Sequence, residues 1–154
     1  MSSRKRRSYE AENELANILW SLGFAVVRGP ASGSGVRRRF QPDLVAAKNG
    51  KILVFEIKRC SRDETALYIE SSQVLGLQEW AKRAGGEAFI AIRLPGGEWR
   101  IHDVGDLEIT KGGNFKLKDL KKGVRLRDLL ERIEPKSKSL TEFLESYDSS
   151  EHHA

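Results

Sequence analysis

Pro42-Asp43-Leu44-Val45-Ala46-Ala47-Lys48-Asn49-Gly50-Lys51-Ile52-Leu53-Val54-Phe55-Glu56-Ile57-Lys58 is the stretch on which the fold turns. Asp43 to Ala47 and Lys51 to Lys58 are β-rich, and the Asn49-Gly50 pair between them is the strongest short-range hairpin signal a sequence carries. The two runs are expected to pair antiparallel. A period of two sends Val54, Glu56 and Lys58 to one face of the second strand and Leu53, Phe55 and Ile57 to the other. Glu56 and Lys58 then point the same way, and the hairpin brings Asp43 close to their level from the neighbouring strand.

Upstream, Phe24-Ala25-Val26-Val27-Arg28 reads as a strand. It follows a helix running from Ser8, a plausible N-cap, to about Leu22, with Ala11, Leu15, Ile18, Leu19 and Leu22 at helical spacing. Gly29 to Gly35 is too rich in Gly and Ser for regular structure. Downstream, a second helix fits Ser71 or Ser72 through Ala84, with Val74, Leu77, Ala81 and Ala84 inward and Gly85-Gly86 as its stop. Ala88 to Leu94 and Trp99 to Ile101 read as strands joined at Gly96-Gly97, and a short helix near Leu126 to Ile133 precedes Pro135. The order helix, three strands, helix, two strands predicts an α/β fold with a mixed central sheet flanked by helices.

A length of 154 residues suits one domain with a real core. We place it over residues 1–133, with 1–7 as a basic N-terminal arm and 134–154 as an acidic, flexible tail. The net charge of +5 is unevenly spread: the tail holds two lysines against five acids, −3, so residues 1–133 carry +8. Such a basic body points to a polyanionic partner. The single cysteine, Cys60, excludes an internal disulfide framework and fits a reducing compartment. No stretch approaches the roughly 18 apolar residues of a membrane span, and no apolar segment follows the basic N-terminus. A soluble, cytoplasmic, nucleoid-associated protein is expected.

The hairpin cluster has the composition of a hydrolytic metal site. Asp43 and Glu56 supply the hard carboxylate oxygens that Mg²⁺ takes, with Mn²⁺ as a substitute, and the Ile57 carbonyl could add a further ligand. Lys58 would lie beside an attacking water, orienting it and stabilising charge on a phosphodiester in transit. An acid, any residue, then Lys is a common pattern, and Asp119-Leu120-Lys121 and Glu134-Pro135-Lys136 match it as well. The first lies in a Lys-rich polar stretch and the second straddles a proline. Only Glu56-Ile57-Lys58 ends an apolar β-run with a Pro-Asp upstream. The competing reading is an ordinary ion-pair cluster on a hairpin edge.

Ala11-Glu12-Asn13-Glu14-Leu15, Gly23-Phe24-Ala25-Val26-Val27-Arg28, Asp43-Leu44-Val45-Ala46, Glu56-Ile57-Lys58 and Gly85-Gly86 occur in that order. This set, spanning about residues 7 to 105, resembles the archaeal Holliday junction resolvases. These belong to the restriction-endonuclease-like nucleases marked by Pro-Asp and then Asp/Glu-X-Lys. The resemblance implies a restriction-endonuclease-like sheet, Mg²⁺ dependence, a symmetric homodimer, and paired nicks in opposing strands of a four-way DNA junction during recombination and repair. It also implies that a glutamate of the first helix joins the catalytic and metal-binding set, and the match places it at Glu12. From periodicity alone, Glu12 flanks the apolar stripe and could equally serve the helix macrodipole or a cap. The Gly29–Gln41 loop departs from the family pattern in being longer and richer in arginine.

Candidate phosphate contacts are Arg4, Lys5, Arg6, Arg7, Arg28, Ser32, Ser34, Arg37, Arg38 and Arg39. The alternative for the N-terminal run is a solubilising tail. His102, His152 and His153 are too scattered for a metal site, and Cys60 has no nucleophilic partner pattern. Trp20, Trp80 and Trp99 read as core or dimer-interface residues, while Tyr68 and Gln73 lie where they could touch the site. Residues 137–144, with Leu140, Phe143 and Leu144 as anchors, resemble a sliding-clamp-binding peptide, although a serine replaces the usual leading glutamine. Two other functions fit the same residues: a different repair or restriction-type endonuclease of this motif class, or a non-catalytic branched-DNA-binding protein.

Overall fold

The computed structural model describes residues 2–30 and 39–133. Its centre is the hairpin of β2 (Leu44–Lys48) and β3 (Lys51–Arg59), paired antiparallel with Lys48 opposite Lys51 and Leu44 opposite Phe55. Asn49 and Gly50 both take positive φ, 51° and 77°. A two-residue hairpin turn needs that backbone, and Asn-Gly reaches it at low cost.

Strand β1 (Ala25–Arg28) adds antiparallel to β2. On the other side β3 pairs in parallel with β5 (Glu87–Arg93), and the crossover between them carries β4 (Ala66–Ile69) and α2 (Ser71–Ala84). Strands β6 (Trp99–Asp103) and β9 (Val124–Arg125) complete a mixed sheet in the order β1-β2-β3-β5-β6-β9. β3 is buried on both faces, with Leu53 to Ile57 all inside. Leu53, Phe55 and Ile57 face α1 (Ser3–Ser21) and α3 (Leu126–Ile133), meeting Leu15, Leu19 and Leu129. Val54 faces α2 and packs with Val74, Leu77, Ile90 and Ile92. The expected alternation along β3 is therefore the observed one.

Three differences from the sequence reading matter. Helix α1 starts at Ser3, five residues before Ser8, because Ser2 Oγ accepts from the Lys5 N–H at 3.3 Å and Arg and Lys are good helix formers. Arg4 to Arg7 thus ride on a helix rather than a loose arm. A second sheet, β4-β8-β7, was not anticipated; β8 is Phe115–Lys118 and β7 is Glu108–Ile109. It stands on the α2 face of the main sheet through Ile69 and Leu117. Of the tryptophans read as core or dimer-interface residues, Trp99 is buried, whereas Trp20 is 66% exposed and lies outside this chain's own core. No helix among the described residues is long and apolar enough to cross a membrane.

Candidate active site

Since Leu44 lies opposite Phe55, the next step along the antiparallel pair sets Asp43 beside Glu56. Asp43 Oδ2 accepts from the Ile57 N–H at 2.8 Å, which fixes its carboxylate against the neighbouring strand. The chain approaches Asp43 through a tight crossing in which the Gly29 N–H donates to the Asp43 carbonyl at 2.9 Å. A Cβ on Gly29 would lie 2.1 Å from the Pro42 oxygen, so glycine is required there. Glu56 is 6% exposed. Half-buried Lys58 places Nζ 3.7 Å from Glu56 Oε1 and donates to Gln73 Oε1 at 3.2 Å.

Two adjacent buried carboxylates cannot both ionise cheaply. Burial, reinforced by the charge of Asp43 and opposed by Lys58, pushes Glu56 up to about 8. Burial raises Asp43 as well; the Ile57 amide opposes this and the charge of Glu12 adds to it. Glu56 is therefore favoured to keep its proton near neutral pH, hydrogen-bonded to Asp43. This donor set fits a hard divalent cation, which would relieve the repulsion and take the place of that proton. Asp43, Glu56 and the Ile57 carbonyl would hold it. Among the described residues, no group of three or more Asp, Glu, His or Cys side chains is placed to hold a metal.

Residues 3–138 match the family description "Archaeal holliday junction resolvase (hjc)". This chain belongs to the archaeal Holliday junction resolvase family, Hjc. It is 40% identical over 147 residues to the crossover junction endodeoxyribonuclease Hjc of Sulfurisphaera tokodaii, covering 94% of this chain and all of the relative. With the Sulfolobus acidocaldarius protein of the same name it shares 34% over 145 residues, covering 92% of this chain and 99% of the relative. The solved structure of Archaeoglobus fulgidus Hjc, a Holliday junction resolvase, superposes with a TM-score of 0.69 at 33% identity, covering 79% of this chain and 98% of that one.

Around the carboxylate pair this Hjc chain arranges its other candidates unevenly. Glu12 is half-buried on α1, and its Oε2 accepts from Arg28 Nη2 at 2.8 Å. Arg28 Nη1 also donates to Asn13 Oδ1 at 3.1 Å, and the guanidinium lies 4.2 Å above the Tyr9 ring. Arg28 is thus turned toward α1, with Glu12 close enough for its charge to act on Asp43. Arg4, Lys5, Arg6 and Arg7 are exposed on the first turns of α1. Arg59 Nη1 donates to the Arg7 carbonyl at 3.2 Å, which ties that basic turn to the end of β3 just past Lys58. Arg39 is exposed, whereas Ser32, Ser34, Arg37, Arg38 and the 137–144 segment lie outside the described residues.

Sequence reasoning did not single out Asn13, Arg59 or Arg93, which donates to Glu14 Oε2 at 2.6 Å. Their partners are 15 to 79 residues distant in the chain, and no local pattern reports such pairs. Gln73 does reach the site, through Lys58. Tyr68 is 67% exposed on the small sheet. His102 is buried and neutral, its imidazole pushed below the ordinary range by burial, and its Nε2–H donates to the Leu120 carbonyl at 3.0 Å.

Proposed function

We propose that this Hjc chain is a Mg²⁺-dependent endonuclease that resolves four-way DNA junctions by paired cuts in opposing strands, acting as a symmetric homodimer in recombination and repair. The observation that carries the reading is the convergence of Asp43, Glu56 and Lys58 at one end of the hairpin, in a chain of this family. A cation held by the two carboxylates would supply positive charge against the phosphodiester and make water a better nucleophile near neutral pH, and Mn²⁺ would substitute.

The protein's own part is positioning. The Ile57 N–H holds one oxygen of Asp43 and leaves the other free to bind. Lys58 donates to Gln73 and lies in ion-pair range of Glu56, and since an ammonium has three donors, donors remain for the attacking water or a phosphoryl oxygen. In-line attack bonds the water oxygen to phosphorus as one P–O ester bond breaks, and Lys58 stabilises the charge that accumulates on the phosphoryl oxygens. Glu12 adds negative charge at the rim and Arg28 holds it in place. A junction offers two equivalent scissile phosphates, and a twofold dimer would present two sites at fixed separation.

A synthetic four-way junction incubated with and without Mg²⁺ tests this reading. Cleavage in opposing arms only with Mg²⁺ is expected, with Asp43→Asn binding the junction but not cutting it. Full cleavage by Asp43→Asn, or equal cutting of plain duplex, would overturn it. The clamp-binding role of residues 137–144 is a separate proposal. It predicts that Phe143→Ala abolishes capture of a sliding clamp.

A further inference from the structure

The sequence between 111 and 127 holds seven Lys and Arg against one acid, Asp119. The β4-β8-β7 sheet organises part of this charge. Leu117, opposite Leu67, turns inward to the core, so Lys116 and Lys118 turn outward on the other face of β8. Tyr68 lies opposite Lys116, and the ammonium sits 5.4 Å from the centre of its exposed ring. Lys121 and Lys122 follow in a 3-10 turn, Leu120–Lys122, and both are exposed. Lys118 and Lys122 have acid partners, Glu108 at 2.9 Å and Asp119 at 3.1 Å, but all four groups in these pairs are more than half exposed. Such pairs hold their ammonium groups weakly and release them readily to a stronger anion.

The position of this sheet gives the charge a use. It packs through Ile69 and Leu117 beside Val54, on the same face of β3 from which Glu56 and Lys58 project. Ile69 ends β4 and Ser71 opens α2, where the Ser71 N–H donates to Asn114 Oδ1 at 3.3 Å. Gln73, two residues on, holds Lys58. Lys121 is near enough to the Cys60 thiol, two residues past Lys58, for its charge to act on it. The small sheet therefore stands on the same face of the main sheet as Glu56 and Lys58, with a basic outer rim.

We propose that this rim, Lys116, Lys118 and Lys121 with the Tyr68 ring beside them, is a second phosphate-contacting surface that holds a DNA arm leaving the active site. It rests on the nuclease reading but takes any DNA backbone, because ammonium groups read phosphate charge and not sequence. Its partner is a duplex arm, and the fit is one of charge: a spaced row of cations against regularly spaced phosphates.

The test is the triple variant Lys116→Ala, Lys118→Ala, Lys121→Ala in the full chain, beside the triple Lys→Arg variant that keeps the charge. Binding to a fluorescent four-way junction and to plain duplex, without divalent metal, is followed by anisotropy from low to moderate salt. Each lost phosphate contact lowers the slope of log Kd against log salt by about 0.9, so the alanine triple should lose roughly 2 to 3 units of slope. Affinity should fall on the order of tenfold or more near 0.1 M salt, while the arginine triple keeps both slope and affinity. An alanine triple with wild-type thermal midpoint, slope and affinity would overturn the proposal. If wild type bound junction and duplex equally, the junction reading would fail while the duplex slopes still decided the role of the rim. If wild type bound neither, both would fall.

Discussion

Glu56→Gln should make the metal-free protein more stable, although it removes a residue of the proposed active site. Glutamine copies the shape of protonated Glu56 and can still donate toward Asp43, but it never ionises. Glu56 is pushed from its ordinary 4.5 up to about 8 in the folded chain. Native protein therefore keeps a proton that the unfolded chain releases as pH rises through 4.5. The stability due to protonated Glu56 is fully present below pH 4.5 and drains away until pH 8, where the native carboxyl ionises too. At 1.36 kcal/mol per unit, the loss is about 1 kcal/mol at pH 5, about 3 at pH 7 and up to about 4 at pH 8. Glutamine suffers no such loss. Chemical denaturation of both proteins in chelator at pH 5, 7 and 8 should show a gap that widens with pH in favour of the variant. Mg²⁺ should then raise the stability of wild type more than that of Glu56→Gln, because only wild type regains the second carboxylate ligand. A gap that is absent, or that does not change between pH 5 and pH 8, would refute the claim that Glu56 is held protonated by burial and by Asp43.

Three further outcomes are expected. Gly76→Ala, which in an open helix position stabilises by up to about 1 kcal/mol, should here destabilise by about 1 to 3 kcal/mol, since its Cβ would fall 2.4 Å from Phe40 Cγ. The sign should reverse in a Phe40→Ala background, and thermal melts of the four proteins check it. Gln73→Leu removes the side-chain amide that steadies Lys58, and single-turnover cleavage on saturating DNA should slow roughly five- to tenfold, the size of one hydrogen bond, with Kd unchanged. Arg37→Ala, Arg38→Ala and Arg39→Ala together should weaken junction binding and lower the salt slope by about 2 to 3, read by anisotropy; an unchanged slope would remove the loop from the DNA interface.

The central hairpin was legible because its signals are local. Asn49-Gly50 names its own turn, and the alternation from Leu53 to Lys58 names its faces. The helices α1 and α2, on either side of β1, β2 and β3, carry their apolar stripes in plain view, so the mixed sheet followed. The small sheet did not. Strand β7 has two residues and β4 and β8 have four each, too few for a period to register, and β4 finds its partner β8 far along the chain. The start of α1 was missed for a different reason: four basic residues resemble a solvated tail, and only the Ser2 cap reveals them as helix.

Within the site, the charged residues could be read from sequence but not the restraints on them. Asp43 is held from three directions by groups that carry no chemical signature of a site. The Ile57 amide fixes its carboxylate, Gly29 lets the chain cross closely enough to reach it, and three residues earlier Phe40 seats against Gly76 of α2. The same helix supplies Gln73 to Lys58. Helix α2 thus anchors the approach to the first strand of the hairpin and the lysine at the end of the second, and a shift of α2 would move the two together. That is why the Gly76→Ala and Gln73→Leu variants differ in kind. The first should alter stability and the placement of Asp43 through packing, and the second should alter only the orientation of Lys58. If α2 is the common support, Gly76→Ala should also slow single-turnover cleavage, and Gly76→Ala in the Phe40→Ala background should add no further slowing to that of Phe40→Ala alone. Equal slowing by Gly76→Ala in both backgrounds would show that the helix acts on catalysis by some route other than Phe40.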